Sequence, residues 1–169
     1  PDPALIVFQN PQSLSAEYCR SIRTNLMFMS PADPIQTLLI TSANPKDGKT
    51  TVSASVAITM ATSGSNVVLV DTDMRRPRLH KVFKVDESTG MSSALISSDS
   101  VADFCQPTDI PNLSVIPCGP IPPNPSELFH TRRFIEVVEQ LQNLFDYVIF
   151  DSPPVLAVTD SLIIGKHVD

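Results

Sequence analysis

Apolar residues follow two kinds of pattern along this chain. Short runs occur at Thr37-Leu38-Leu39-Ile40-Thr41, Val67-Val68-Leu69-Val70, Leu113-Ser114-Val115-Ile116 and Tyr147-Val148-Ile149-Phe150. Runs this short, apolar on both faces and bounded by turn-forming residues, predict strands buried on both sides, as in parallel sheets. Between them the spacing becomes helical. Leu14, Tyr18, Ile22, Leu26 and Met29 form one stripe, predicting a helix over 13–29 that docks through it. Ser13 is its candidate N-cap, and Pro31 and Pro34 end it. Val52, Val56 and Met60 mark one face of a helix over 50–63, with Gly64 as its stop. Phe134, Val137, Val138, Leu141 and Leu144 mark a further helix. Shorter helical pieces are predicted at 79–83, 91–97 and 100–105, and a last helix from Asp160 to Lys166. Residues 1–11, punctuated by Pro1, Pro3 and Pro11, read as extended. Residues 117–125 hold too many prolines for a helix or a central strand and read as a loop. Strands alternating with helices predict an α/β fold, a single domain over 1–169 with a mostly parallel central sheet and helices on both faces.

Composition removes several classes of function. With 42% hydrophobic and 18% charged residues the chain is not of the disordered type. No apolar stretch approaches the ~20 residues of a membrane-spanning helix. Lys and Arg number 12 against 18 Asp and Glu, a net charge of −6, so phosphate backbones are repelled and no nucleic-acid partner is expected. Cys19, Cys105 and Cys118 form no CxxC pair, and His80, His130 and His167 are scattered. Neither a disulfide framework nor a zinc site is expected, and the compartment reads as reducing. No basic segment of a signal peptide precedes Ala4-Leu5-Ile6.

The chemistry concentrates at strand ends. Ala43-Asn44-Pro45-Lys46-Asp47-Gly48-Lys49-Thr50 follows one predicted strand and opens a helix, the context of a phosphate-binding loop that extends to Thr51. Backbone N–H groups wrap phosphates there, and the helix N-terminus adds positive potential. Lys49 supplies a mobile cation for the β- and γ-phosphates, and the Thr50 hydroxyl suits Mg²⁺. Ala43 stands where such loops most often have Gly. Asp71 and Asp73 end the second apolar run and Asp151 ends the fourth, where open α/β sheets bind ligands. Paired acids repel unless a cation or proton joins them, so together these strand ends predict a Mg²⁺-nucleotide site.

The loop, Asp71-Thr72-Asp73-Met74-Arg75 and Asp151-Ser152-Pro153-Pro154 resemble the Walker A, A′ and B motifs of bacterial tyrosine kinases. That family includes the cytoplasmic domains of exopolysaccharide chain-length regulators. The resemblance extends through Arg76-Pro77-Arg78-Leu79-His80, through the proline-rich Gly119–Leu128 segment and through Glu17, Arg20 and Arg23, which are similar to the ExxRxxR oligomerisation motif. Lys46 stands where the family usually has Gly or Ser.

The resemblance implies a P-loop NTPase fold, ATP and Mg²⁺, and transfer to tyrosine-containing protein substrates, the kinase's own C-terminal tail among them. It implies a homo-oligomer joined through Glu17, Arg20 and Arg23. It also implies a place at the inner face of the plasma membrane, through a fused membrane domain or a membrane-associated partner. In this scheme Lys49 neutralises β/γ charge, while Thr50, Asp73 and Asp151 hold the metal. Asp71 accepts or orients the tyrosine proton, and the roles of Asp71 and Asp73 are exchangeable at this stage. The family's sheet continues with another strand and a Tyr-rich tail, so the C-terminal end is expected to be cut short. Tyr18 and Tyr147, the chain's two tyrosines, are both expected to be inaccessible. Arg75, Arg76 and Arg78 form a basic cluster able to attract phosphate or the acidic flanks of a tyrosine substrate. Two alternatives stay open: a nucleotide-dependent assembly switch of the same export machinery, and a MinD/ParA-like ATPase. Asn44 opposes the second, because that family usually carries Lys there.

Overall fold

The computed structural model describes residues 2–169. The apolar runs form β1 (Thr37–Ile40), β2 (Val67–Asp71), β4 (Leu113–Ile116) and β5 (Tyr147–Asp151), all mutually parallel where they pair. A two-residue strand, β3 (Gln106–Pro107), adds antiparallel to β4, giving the order β1-β5-β2-β4-β3. Side chains alternate across the sheet. Val67, Leu69, Val115 and Ile149 enter one core, and Val68, Val70, Ile116, Val148 and Phe150 enter the other. Both faces are therefore covered, which is why these strands read as unbroken apolar runs.

One face is covered by α2 (Leu14–Met29) and α3 (Lys49–Thr62), the other by α5 (Met91–Ile96), α7 (Arg132–Leu144) and α8 (Asp160–Ile164). Helix α3 is buried from Ser53 to Ala61, so its pattern carries little amphipathic signal. Val56 and Met60 are buried as expected, but Val52 is exposed. Gly64 has φ +101, the left-handed conformation that suits the residue just past a helix end. Helix α4 (Leu79–Phe83) matches its predicted span, whereas 100–105 is a 3-10 turn at Val101–Phe104 and α8 stops at Ile164.

The N-terminal segment is not extended. Pro3–Leu5 forms a 3-10 turn and Ile6–Gln9 a short helix, α1. The Asp2 carboxylate accepts from the Ala4 N–H at 2.9 Å, and proline suits a first helical position, where its missing N–H costs nothing. Ala4 and Val7 are buried in the core that α3 shares.

Helix α2 has its predicted span, and the Ser13 hydroxyl accepts from the Ala16 N–H at 3.2 Å. Its orientation reverses the expectation. Leu14 and Tyr18 are 66% and 61% exposed, and Ile22 and Met29 are exposed too. The docked face carries Ala16 and Cys19, with Leu26 partly buried. Helix α3 offers Ala54, Ala57 and Ala61 to this core, and small residues on both helices allow an approach that large side chains would block. Tyr18 is thus accessible, contrary to expectation, and Tyr147 is half-buried.

The proline-rich loop ends sooner than expected, because Pro125 starts α6 (Pro125–Phe129). Its stem packs against Gly90. The N–H groups of Met91 and Ser92 donate to the carbonyls of Pro117 and Cys118 at 2.8 Å. A Cβ on Gly90 would lie 2.1 Å from the Pro117 carbonyl, so only glycine permits this contact.

Candidate functional site

The phosphate-loop candidate connects β1 to α3. Its backbone turns through left-handed conformations at Lys46 (φ +70) and Gly48 (φ +85). A Cβ at Gly48 would meet nothing within 4 Å, so glycine is required there for conformation and not for space. The Asp47 carboxylate accepts from the Asn44 N–H at 2.9 Å, and the Ser42 hydroxyl donates to the Asn44 carbonyl at 2.8 Å. Gly48 caps α3 without a side chain, leaving the first-turn N–H groups aimed out of the helix end. Pro45, Lys46, Gly48, Lys49, Thr50 and Thr51 line a cleft of about 250 Å³. Asn44 and Asp47 shape the loop behind it, with Ala43 exposed at the stem. Pro153, Pro154, Ala157 and Val158 form an apolar wall of the same cleft.

The acidic positions differ in what they touch. Asp71 and Asp151 are direct neighbours in register across β2 and β5. Asp151 is buried; Oδ2 accepts from the Thr50 hydroxyl at 2.7 Å and Oδ1 from the Ser53 hydroxyl at 3.0 Å. Burial pushes its carboxyl up to about 6, against the pull of those two hydroxyls. Ser53 was missed in the sequence; its signal is the three-residue spacing from Thr50, which puts both on one helix face. Asp73 is 5% exposed and lines the cleft. Its carboxylate pairs with the Lys49 ammonium at 3.3 Å and accepts from the N–H groups of Arg75 and Arg76 at 3.3 and 3.0 Å.

Asp71 does not face the cleft. It is fully buried; Oδ2 accepts from the Arg78 and Leu79 N–H groups, both at 3.0 Å, and Oδ1 from the Asp73 N–H at 3.2 Å. Burial, reinforced by the neighbouring Asp151 charge, pushes its carboxyl up to about 8. A carboxyl enclosed by three backbone donors is out of reach of a tyrosine hydroxyl. Instead of either exchangeable role, Asp71 braces the turn before α4 through these backbone donors, while Asp73 is the one of the pair that lines the cleft. Asp71→Ala should strand the three backbone N–H groups of Asp73, Arg78 and Leu79, costing about 2 kcal/mol or more. Amide exchange at Arg78 and Leu79 should accelerate before that of β2; unchanged protection would show that the brace is dispensable.

Three carboxylates and one ammonium sit within this buried corner, an imbalance that calls for a further cation or protons. Hydroxyl and carboxylate oxygens from Thr50, Asp73 and Asp151 are hard donors of the kind Mg²⁺ takes. Among the described residues no group of three acidic, His or Cys side chains could cage a metal unaided. Mg²⁺ needs no such cage, because phosphate and water supply the rest of its shell.

A further contact escaped the sequence analysis. Asp160, the first residue of α8, is fully buried; it accepts from the Ser126 hydroxyl and faces Arg75 Nε at 3.5 Å. This ties the turn after Asp73 to the proline-rich segment. No local pattern signals it, because the residues lie far apart in sequence.

The predicted ridge on α2 divides. Arg20 binds Glu17 at 2.7 Å and donates to the Pro11 carbonyl at 3.0 Å, both near the surface. Arg23 is half-buried, and its Nε has no hydrogen-bond partner among the described residues. No helix among them is long and apolar enough to cross a membrane.

Known proteins share this sequence and geometry. An AAA domain family matches residues 37–165. The tyrosine-protein kinase YwqD of Bacillus subtilis is 38% identical over 165 residues, covering 98% of this chain and 70% of YwqD. The kinase domain of the Escherichia coli tyrosine kinase ETK superposes with a TM-score of 0.92 at 36% identity, covering 99% of this chain and 66% of that one. The cell-division ATPase MinD of Pyrococcus furiosus shares the fold more distantly, with a TM-score of 0.65 and 27% identity over 76% of this chain and 54% of MinD. The closer likeness runs from the N-terminal helices through the P-loop and both acidic strand ends, and the chain belongs to the bacterial tyrosine kinase family.

Proposed function

We propose that this chain transfers the γ-phosphoryl group of ATP to tyrosine hydroxyls of proteins, within the regulation of exopolysaccharide synthesis or export. The observation that carries the reading is the Lys49–Asp73 pair facing the same cleft as Thr50, with Asp151 bonded to that threonine behind it. The loop N–H groups and Lys49 bind the triphosphate, and the apolar wall at Pro153, Pro154, Ala157 and Val158 offers a surface for the base. Mg²⁺, held by Thr50, Asp73 and Asp151, supplies neutralisation of phosphate charge. The tyrosine oxygen bonds to the γ-phosphorus as the bond to the β,γ-bridging oxygen breaks, and ADP leaves with that oxygen. A phenol of pKa ~10 is not deprotonated by an ordinary carboxylate, and a loose transition state needs little base assistance. The hydroxyl proton therefore departs late, to Asp73 or to a phosphoryl oxygen. Incubation with labelled ATP, Mg²⁺ and a tyrosine peptide tests this; phosphotyrosine that disappears with Asp73→Asn is expected, and its absence in folded protein would refute transfer.

The exposed apolar face of α2 favours a second component, self-association. Leu14, Tyr18, Ile22, Phe28 and Met29 all reach solvent on one side of this helix, beside the Glu17–Arg20 pair. Tyr18→Glu with Ile22→Glu should shift the assembly towards monomer in sedimentation. Arg23→Ala should instead lower the unfolding temperature, because its side chain lies partly inside. Parent-like assembly of the double variant would make this face ordinary surface. The family resemblance supports placement at the membrane, through a fused domain or a partner.

A further inference from the structure

We propose that Arg76 and Arg78 select tyrosine substrates whose tyrosine is flanked by acidic residues. The inference rests on the kinase reading and names the substrate class of the same site. Lys46, Lys49, Arg75, Arg76 and Arg78 border the cleft, with Asp73 the one acid among its lining residues. The chain as a whole carries −6, so an acidic segment is repelled by most of the molecule and attracted here.

These cations are not equivalent. Lys49 is committed to Asp73 and the phosphate loop, and Arg75 is drawn to the buried Asp160. The Arg76 side chain has no hydrogen-bond or ion-pair partner among the described residues, and Arg78 reaches only Asp2, at 4.0 Å. Both side chains are exposed, yet both backbones are fixed: the Arg76 N–H donates to Asp73 and the Arg78 N–H to Asp71. Two guanidinium groups thus stand on an immobilised turn beside the transfer site, open to whatever arrives from solvent. Guanidinium forks pair well with carboxylates, and a fixed turn lowers the entropy lost on binding.

Peptides with one tyrosine flanked by Glu, Gln or Lys provide the test, with kcat/KM compared at low salt. Wild type should prefer the Glu peptide over the Gln peptide by about tenfold, the size expected of two exposed charge pairs, and less at high salt. Arg76→Gln with Arg78→Gln should bring the ratio to about 1, while the KM for ATP changes by less than about twofold. Arg76→Glu with Arg78→Glu should move the preference to the Lys peptide. Transfer to all three peptides at equal efficiency overturns this proposal and leaves the kinase reading intact. A Gln variant that keeps its peptide ratio while its KM for ATP rises assigns the arginines to the nucleotide, and also overturns it. No transfer to any peptide by folded protein removes both.

Discussion

Lys49→Met should lower phosphoryl transfer by about 10³-fold, in line with removal of a preorganised charge from a developing anion. The ammonium is the cation that the structure places on Asp73, 3.3 Å away at the cleft. Methionine keeps most of the stem, so the helix start and loop should persist. Two consequences separate this from simple unfolding. ATP affinity by calorimetry should fall while near-ultraviolet circular dichroism stays native. The free protein should also lose stability above neutral pH, because Asp73 then sits beside Asp71 and Asp151 without its counter-charge. Undiminished transfer in the variant would remove Lys49 from the site.

Asp151→Asn should produce opposite effects on activity and stability. Transfer should fall by about 10²-fold or more, because the neutral amide holds a metal poorly beside Thr50. Nucleotide- and metal-free protein, however, should become more stable at pH 8. Asp71 and Asp151 are raised to about 8 and about 6 from an ordinary value of 3.8. From about pH 4 to pH 8 the folded state therefore holds more protons than the unfolded state, and stability falls as pH rises. Both groups favour folding most at the acid end of that window. The substitution removes the Asp151 share, on the order of 2–3 kcal/mol at pH 8, and should flatten the slope. Urea titrations at pH 5, 7 and 8 (all about ±0.1) in chelator would check it. An unchanged slope would mean that Asp151 is not held protonated, and added ATP-Mg²⁺ should restore stability to wild type alone.

The strands and the order of chemistry along the chain were legible because each depends on a short window. Val67-Val68-Leu69-Val70-Asp71 is apolar until its last residue, and that last residue is where a parallel strand meets the ligand edge. The Gly48-Lys49-Thr50 start of α3 was legible for the same reason, since phosphate binding needs a left-handed turn, a cation and a hydroxyl in succession. Pro125 reads as loop in the sequence yet starts α6, because proline excludes helix interiors but suits a first turn.

The sequence by itself determined the α/β class, the parallel strands, the turn and helix start of the phosphate-loop candidate and the acids at the strand ends, since hydrophobic period and local backbone chemistry act within a few residues. Only the tertiary structure decided which way each side chain is used. Helix α2 turns its large residues outward because the small Ala16 and Cys19 dock on its neighbour, a fact about two surfaces. Asp71 becomes a brace and Asp73 a cleft residue because the Arg78–Leu79 backbone folds back onto the first and not the second. Ser53, Ser126 and Asp160 join the site or its support across sequence separations of 98 and 34. Such contacts are set by how the layers pack, which no local spacing encodes.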